Sequence, residues 1–233
     1  MWIAGVDGCR GGWVAALRDV ASGAVTWERF PTVAALLKSS YCPGVVAIDM
    51  PIGLSDSGAR LCDVEARRLL PGQASSVFPV PLRPVLATTD YWSANRLSRE
   101  IGGKGLSQQS FNIMAKIREV DLVARQAQAG RLREAHPELA FVALNKGKPL
   151  GRSKRYPSGI AERRALLAEV YGATLSGLEA NRRGQPGVGL DDLYDALALL
   201  QTAERMHCGT ACRVPEPPPL DSVGLPMEIV YFR

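Results

Sequence analysis

Apolar residues near the start of the chain come in short runs separated by glycine turns. The first run is Trp2–Asp7, and the turn Gly8–Gly12 separates it from a second run, Trp13–Leu17. A third run, Ala24–Phe30, follows another glycine turn. Short apolar runs joined by tight turns are typical of antiparallel strands. The pattern therefore predicts a three-stranded antiparallel meander.

A helix and a different kind of strand follow the meander. Thr32 can cap a short helix that reaches Lys38. Val45–Asp49 is a continuous run of β-branched and apolar residues, which suits a strand buried on both faces. This order indicates an α/β fold with a mixed sheet, in which parallel strands extend three antiparallel strands and helices flank the sheet.

The remaining pattern is mainly helical. Apolar residues at helical spacing predict helices over 59–70 and from Ile113 onward, and we assign about 55–135 to a mainly helical insertion in a single domain spanning 1–233. Leu132–Glu138 predicts a further strand. Two more helices are predicted near 160–171 and from Asp191 to about Met206. Met227–Phe232 predicts an edge strand at the end.

Composition narrows the class of protein. The 233 residues are 46% apolar and 22% charged, which is ordinary for a soluble globular protein. No run approaches the ~20 apolar residues that span a bilayer, and no signal peptide is evident, so we expect a cytoplasmic protein with no membrane partner. Five scattered cysteines predict reduced thiols. The net charge of +5 permits a polyanionic partner without requiring one.

Two aspartates end predicted strands. Side chains alternate along a strand, so Gly5 and Asp7 share one face, as do Ala47 and Asp49. If the two strands are neighbours, both carboxylates meet at one edge of the sheet. Hydrogen bonds to turn amides are the structural alternative for either aspartate.

The last long helix adds further carboxylates. Asp192 and Asp195 are three residues apart and lie on one side of this helix. Converging carboxylates repel one another unless a cation lies between them, and Mg²⁺ and Mn²⁺ prefer carboxylate oxygens. We therefore predict a Mg²⁺ or Mn²⁺ site whose catalytic ligands are Asp7, Asp49, Asp192 and Asp195, with Glu138 as a further ligand. Asp191 and Asp192 can instead cap the helix.

Basic residues are concentrated in one irregular stretch. The members are Lys146, Lys148, Arg152, Lys154 and Arg155, and no acidic residue stands among them. Such a loop can hold phosphates electrostatically, although a solvated surface loop is the alternative. Arg10, in the turn beside Asp7, can bind substrate or pair with the carboxylates.

Four segments in this order resemble a known family over nearly the whole chain: GVDGCRGGWVAA, VVAIDMPIGL, EAHPELAF and GLDDLYDALALL. The family is an uncharacterised bacterial and archaeal one labelled predicted nuclease with a ribonuclease H fold. The final acidic helix is also similar to that of the Holliday-junction resolvases. The resemblance implies a ribonuclease H-like fold with Asp7, Asp49, Asp192 and Asp195 as metal ligands. In ribonucleases H a glutamate on an early helix completes the site, and Glu65 corresponds to it only loosely.

These observations predict a divalent-metal-dependent nuclease that hydrolyses phosphodiester bonds of DNA or RNA. Two alternatives stay open. One is an actin-like or sugar-kinase-like enzyme, because Asp7-Gly8 followed by Gly11-Gly12 resembles a phosphate-binding turn. The other is a non-catalytic module that binds metal or nucleic acid.

Overall fold

A computed structural model describes residues 1–126, 130–182 and 185–233. The chain forms two compact units. The first comprises Met1–Asp49, the described residues of Gln128–Cys212, and Val230–Arg233. The second comprises the described residues of Met50–Ala127 together with Arg213–Ile229, so it takes in a C-terminal segment as well as the stretch expected to be an insertion.

The strands in chain order are β1 (Trp2–Cys9), β2 (Gly12–Asp19), β3 (Val25–Phe30), β4 (Val45–Ile48), β5 (Leu132–Glu134), β6 (Cys212–Val214) and β7 (Ile229–Tyr231). The first five form one sheet in the order β3-β2-β1-β4-β5, and β6 and β7 form a two-stranded sheet. β1 pairs antiparallel with β2, and β2 with β3. β4 runs parallel to β1 and to β5. The predicted α/β fold with a mixed sheet is confirmed.

The helices in chain order are α1 (Val33–Lys38), α2 (Leu61–Arg68), α3 (Tyr91–Gly102), α4 (Gln108–Asn112), α5 (Met114–Gln126), α6 (Pro137–Leu144), α7 (Pro157–Tyr171), α8 (Thr174–Arg182) and α9 (Leu190–His207). Thr32 caps α1 as predicted, through a hydrogen bond that its hydroxyl accepts from the Ala35 amide. Among the described parts of the chain, no helix is both long and apolar enough to cross a membrane.

The core of the first unit lies between the sheet and α9. Every residue of α9 from Leu193 to Ala203 is buried, so this helix is covered on all sides. It packs on β1, β2 and β4, and α6 and α7 pack beside it. Gly5 allows β1 and α9 to pack closely, because a Cβ at this position would overlap the backbone of α9 at Ala196 and Leu200. The end of α9 that carries aspartates is therefore held against the middle of β1.

The strand predicted over Leu132–Glu138 is wrong beyond Glu134. The strand stops there, and Pro137 begins α6. Proline suits the first turn of a helix because its missing N–H has no partner to find there. The His136 ring caps the helix, with Nδ1 accepting from the Glu138 amide at 3.2 Å. Glu138 consequently lies in the first turn of a helix and not at the end of a strand.

The second unit has its own small apolar core and its own buried charges. Leu82, Val85, Ala94, Leu106 and Met114 pack together there. The Arg60 guanidinium binds the Asp63 carboxylate at 2.5 Å, with both side chains almost fully buried. Buried charges of this kind are tolerated only when paired.

Candidate metal centre

Asp7 and Asp49 meet because their strands are parallel neighbours. Gly5 on β1 is opposite Ala47 on β4, and the Asp49 amide continues the pairing by donating to the Val6 carbonyl at 2.9 Å. Asp7 lies within β1, opposite Val14 of β2, and Asp49 directly follows β4 on the same face. A hydrogen bond joins their side chains. Asp7 is buried, and its Oδ1 accepts from the Gly8 amide at 2.8 Å.

Asp195 is brought to the same place by the packing of α9. The helix backbone touches β1 at Gly5 through Ala196, the residue directly after Asp195. Asp195 is completely buried, and its negative charge raises the pKa of Asp7. Three carboxyl groups from three separate segments of the chain therefore share one site, in which Asp7 and Asp195 are buried and Asp49 is half-buried.

The pKa values of these three carboxyl groups reflect their burial and the charges around them. Burial raises the pKa of Asp7 well above its ordinary value, and the charges of Asp49 and Asp195 raise it further. Burial also raises the pKa of Asp49, although the charges of His136 and Lys154 oppose the rise. Burial raises the pKa of Asp195 to about 7, again against the effect of Lys154. The raised pKa values therefore result first from burial, and for Asp7 also from the charges of the neighbouring carboxyl groups.

Lys154 is the basic side chain that enters this cluster. Its Nζ donates to Asp195 Oδ2 at 2.5 Å. Burial by itself lowers the pKa of Lys154, but the charge of Asp195, with those of Asp7 and Asp49, leaves the pKa raised. The sequence predicted Lys154 as one of five phosphate-binding residues and offered no signal to separate it from the others.

Asp192 combines a structural role with proximity to the cluster. Its Oδ2 accepts from the Gly189 amide at 2.8 Å, which closes a capping box at the start of α9. Its charge also raises the pKa of Asp7. The Asp192 carboxylate therefore caps α9 and also lies near the acidic cluster.

Glu138 lies at the border of the cluster and is held by a partner that the sequence reasoning missed. Arg163 on α7 is 1% exposed, and its guanidinium donates to Glu138 Oε1 at 2.6 Å. Within the described residues Glu138 Oε2 is buried without a hydrogen-bond partner. The Glu138 charge raises the pKa of Asp49 and of Asp195. An arginine among the apolar residues of α7 was the available signal, because a buried arginine needs an acidic partner.

The other predicted site residues stay outside the cluster. Four basic side chains of the loop are exposed, and none pairs with an acidic side chain in the described ranges: Lys146, Lys148, Arg152 and Arg155. Arg10 is also exposed. Glu65 lies on α2 in the second unit.

Comparison with known proteins gives a family but no activity. A family model described as "Protein of unknown function (DUF429)" matches residues 5–220. The chain belongs to this family. The prediction of membership in an uncharacterised family is thereby confirmed. No curated protein matches this DUF429 chain, and no solved structure matches it. The matched span includes Asp7, Asp49, Lys154 and Asp195.

The donor atoms of this DUF429 site suit a hard cation. Asp195 Oδ1 is buried and has no hydrogen-bond partner among the described residues. Carboxylate oxygens are the ligands that Mg²⁺ and Mn²⁺ prefer. Across residues 1–126, 130–182 and 185–233, no three His, Cys, Asp or Glu side chains are already arranged around one point as ligands. The cluster thus offers suitable donors with a lysine among them, and not a preformed cage.

Proposed function

We propose that this chain is a divalent-cation-dependent nuclease that hydrolyses phosphodiester bonds of nucleic acid. The observation that carries the proposal is the buried Oδ1 of Asp195, which has no hydrogen-bond partner in the described ranges and lies among carboxyl groups whose pKa values are raised. A buried carboxylate oxygen without a partner costs free energy, and a Mg²⁺ or Mn²⁺ ion would remove that cost.

A ribonuclease H-like fold is part of the proposal. Its support is the placement of the three aspartates on a mixed sheet and the final long helix. Asp7 lies on β1, Asp49 directly follows β4, and Asp195 lies on α9. This is the placement that the sequence resemblance implies.

The acidic cluster and the basic loop have different roles in the proposed reaction. When bound, a divalent ion supplies an activated water and stabilises charge on the scissile phosphate. Asp7, Asp49 and Asp195 would hold it. Asp192 and Glu138 lie beside them, bound by the Gly189 amide and by Arg163. The exposed basic residues of the loop attract and position the nucleic acid backbone.

The turn between β1 and β2 argues against the kinase-like alternative. A phosphate-binding turn needs free amides, but the Gly8 amide donates to Asp7 Oδ1 and the Arg10 amide donates to the Gly187 carbonyl at 3.1 Å. The Arg29 guanidinium also binds the carbonyls of Arg10 and Gly11. Two amides and two carbonyls of this turn are therefore already used within the fold.

Cleavage assays test the proposal. The purified protein is incubated with Mn²⁺ or Mg²⁺ and single-stranded, duplex, hybrid and branched nucleic acids, beside Asp7→Asn. Asp19→Asn is the matched control, because Asp19 lies at the opposite end of the β1–β2 pair, across from Trp2. We expect cleavage by the wild type and the control, and its loss in Asp7→Asn.

The alternatives give different results. Equal cleavage by the wild type and Asp7→Asn contradicts the acidic site as the catalytic centre. ATP hydrolysis without nucleic acid cleavage supports the kinase-like enzyme. Binding of metal or nucleic acid without turnover of either substrate supports the non-catalytic module.

A further inference from the structure

We propose that the acidic cluster binds one divalent cation, and that the Lys154 ammonium takes the place of a second. The inference rests on the proposed function, because it concerns the same site. The aspartates alone do not show how many ions bind, because one-metal and two-metal sites both use groups of aspartates.

The two oxygens of Asp195 have different surroundings. Oδ2 accepts from Lys154 Nζ at 2.5 Å. Oδ1 is buried with no hydrogen-bond partner in the described part of the chain. In a two-metal site a bridging carboxylate gives one oxygen to each ion. If Asp195 had that role, the Lys154 ammonium would already fill one of its two positions, and one oxygen would remain for an ion.

Charge balance leads to the same number. When ionised to hold an ion, Asp7, Asp49 and Asp195 would bring three negative charges, of which the Lys154 ammonium would neutralise one and a single divalent ion the other two. The charge of Glu138 is met by Arg163, and Asp192 is bound at the N-terminus of α9, where the helix dipole favours a carboxylate. A second divalent ion beside Lys154 would leave the site with excess positive charge in a buried setting.

The backbone around Lys154 is fixed on α7. The Gly151 and Arg152 amides donate to the two carboxylate oxygens of Glu162, at 2.8 Å and 3.1 Å. Arg163 Nη1 donates to the Arg152 carbonyl at 3.1 Å. A Cβ at Gly159 would overlap the Ser153 carbonyl, so the loop lies directly against the start of α7. Lys154 is therefore directed into the cluster by a held loop, in contrast to its four exposed basic neighbours.

Counting bound Mn²⁺ tests the inference. Electron paramagnetic resonance of free Mn²⁺ gives the number of ions bound per chain at saturation, without any need for activity. Lys154→Met removes the charge and keeps most of the length, Lys154→Arg keeps the charge, and Lys148→Met is the control on the exposed part of the loop. We expect one ion for the wild type, Lys154→Arg and Lys148→Met, and two for Lys154→Met.

The expected loss of affinity identifies the ion's position. Asp195→Asn should weaken Mn²⁺ binding by about tenfold or more, because it replaces the oxygen left for the ion. Circular dichroism of each variant checks that it is folded. Two ions on the wild type overturn the inference whatever the variants do, and so does a folded Lys154→Met that binds a single ion with unchanged affinity.

The outcome separates this inference from the proposed function. One ion on the wild type and two on Lys154→Met, without nucleic acid cleavage, support the role of Lys154 and contradict the nuclease. Two ions with cleavage that Asp7→Asn abolishes contradict the role of Lys154 and support the nuclease. No Mn²⁺ binding by the wild type overturns both.

Discussion

At the scale of single residues, Gly5 determines how closely β1 and α9 approach each other. It has no side chain, and the backbone of α9 occupies the space that a Cβ would need. Asp7 is two residues along the same strand and Asp195 is one residue before the contact at Ala196. The distance between β1 and α9 therefore also controls how closely these two carboxyl groups approach.

Gly5→Ala should destabilise the protein because the added methyl group meets backbone atoms that cannot rotate away. We expect a loss of ~1–3 kcal/mol or more in the free energy of unfolding, measured by urea denaturation. Gly177→Ala is the control with the opposite sign. Gly177 lies in α8 with open space around it, so alanine there should stabilise by about 0.5–1 kcal/mol. Equal stability of Gly5→Ala and the wild type would show that α9 does not lie this close to β1.

Two adjacent arginines on α7 provide a second comparison. Arg163 is 1% exposed and pairs with Glu138, whereas the side chain of Arg164 is 45% exposed and pairs with Glu179 at 2.8 Å. Arg163→Ala should cost ~3–5 kcal/mol, because it leaves Glu138 as an unpaired buried charge beside the acidic cluster. Arg164→Ala should cost at most about 1 kcal/mol. Urea denaturation of both variants measures the difference, and similar losses would contradict the burial of the Arg163 pair.

At the scale of elements, local pattern was sufficient for most of the sheet. β1 to β4 are found within about two residues of the predicted runs, because glycine turns separate continuous apolar segments there. The error at Leu132–Glu138 arose because this segment contains the end of a short strand and, three residues later, the start of a helix. The boundary is set by Pro137 and by the His136 cap. Helices α3, α4, α6 and α8 were not predicted as separate elements.

In the candidate site, too, some residues could be placed from local sequence pattern and others only from tertiary contacts. Asp7 lies two residues before the end of β1 and Asp49 directly follows β4, so the side-chain alternation of two neighbouring strands was enough to place them on one face. The inward direction of Lys154 was not predictable, because it depends on Glu162 and Gly159 holding a loop without a regular pattern. The pairing of Arg163 with Glu138 likewise joins two helices that only the fold brings together.

The attachment of this loop to α7 predicts a change in proteolysis. Glu162→Ala removes the acceptor of the Gly151 and Arg152 amides, so the loop should open more often. We expect trypsin to cleave after Arg152 or Arg155 several-fold faster than in the wild type, measured by mass spectrometry of timed digests. Glu169→Ala, at an exposed position of the same helix, is the control and should leave the cleavage rate unchanged. A Glu162→Ala protein as resistant as the wild type would show that these hydrogen bonds do not hold the loop.

At the scale of the whole molecule, buried carboxyl groups make folding sensitive to pH. Burial raises the pKa of Asp195 from 3.8 in a free chain to about 7, and those of Asp7 and Asp49 are raised as well. Between these limits the folded protein keeps protons that the unfolded chain has released. Stability contributed by the cluster therefore falls as pH rises from about 4 to about 7. Lys154 does not alter the sign, because its ordinary pKa of 10.5 lies above this range and its folded value is higher still.

This dependence is measurable as the urea unfolding free energy across that pH range, with EDTA present to exclude divalent ions. Asp195→Asn should flatten the slope, since an amide carries no proton to lose. Asp19→Asn should leave the slope in place between pH 4 and pH 7, because the pKa of Asp19 is lowered by its hydrogen bonds to Ser22 and Ala21. A wild-type stability that rises over the range, or an Asp195→Asn slope equal to that of the wild type, would contradict the crowding of these carboxyl groups.

The contact at Gly5 also constrains how such a chain can diverge. The atoms that a side chain would meet belong to the backbone of α9, which every amino acid possesses. A second substitution in the helix cannot make room in the way that a smaller core side chain compensates for a larger one. Position 5 therefore accepts only glycine as long as α9 keeps its present distance from β1. A homologue that carries a side chain there marks a lineage in which the helix has moved, and the geometry of its acidic centre has moved with it.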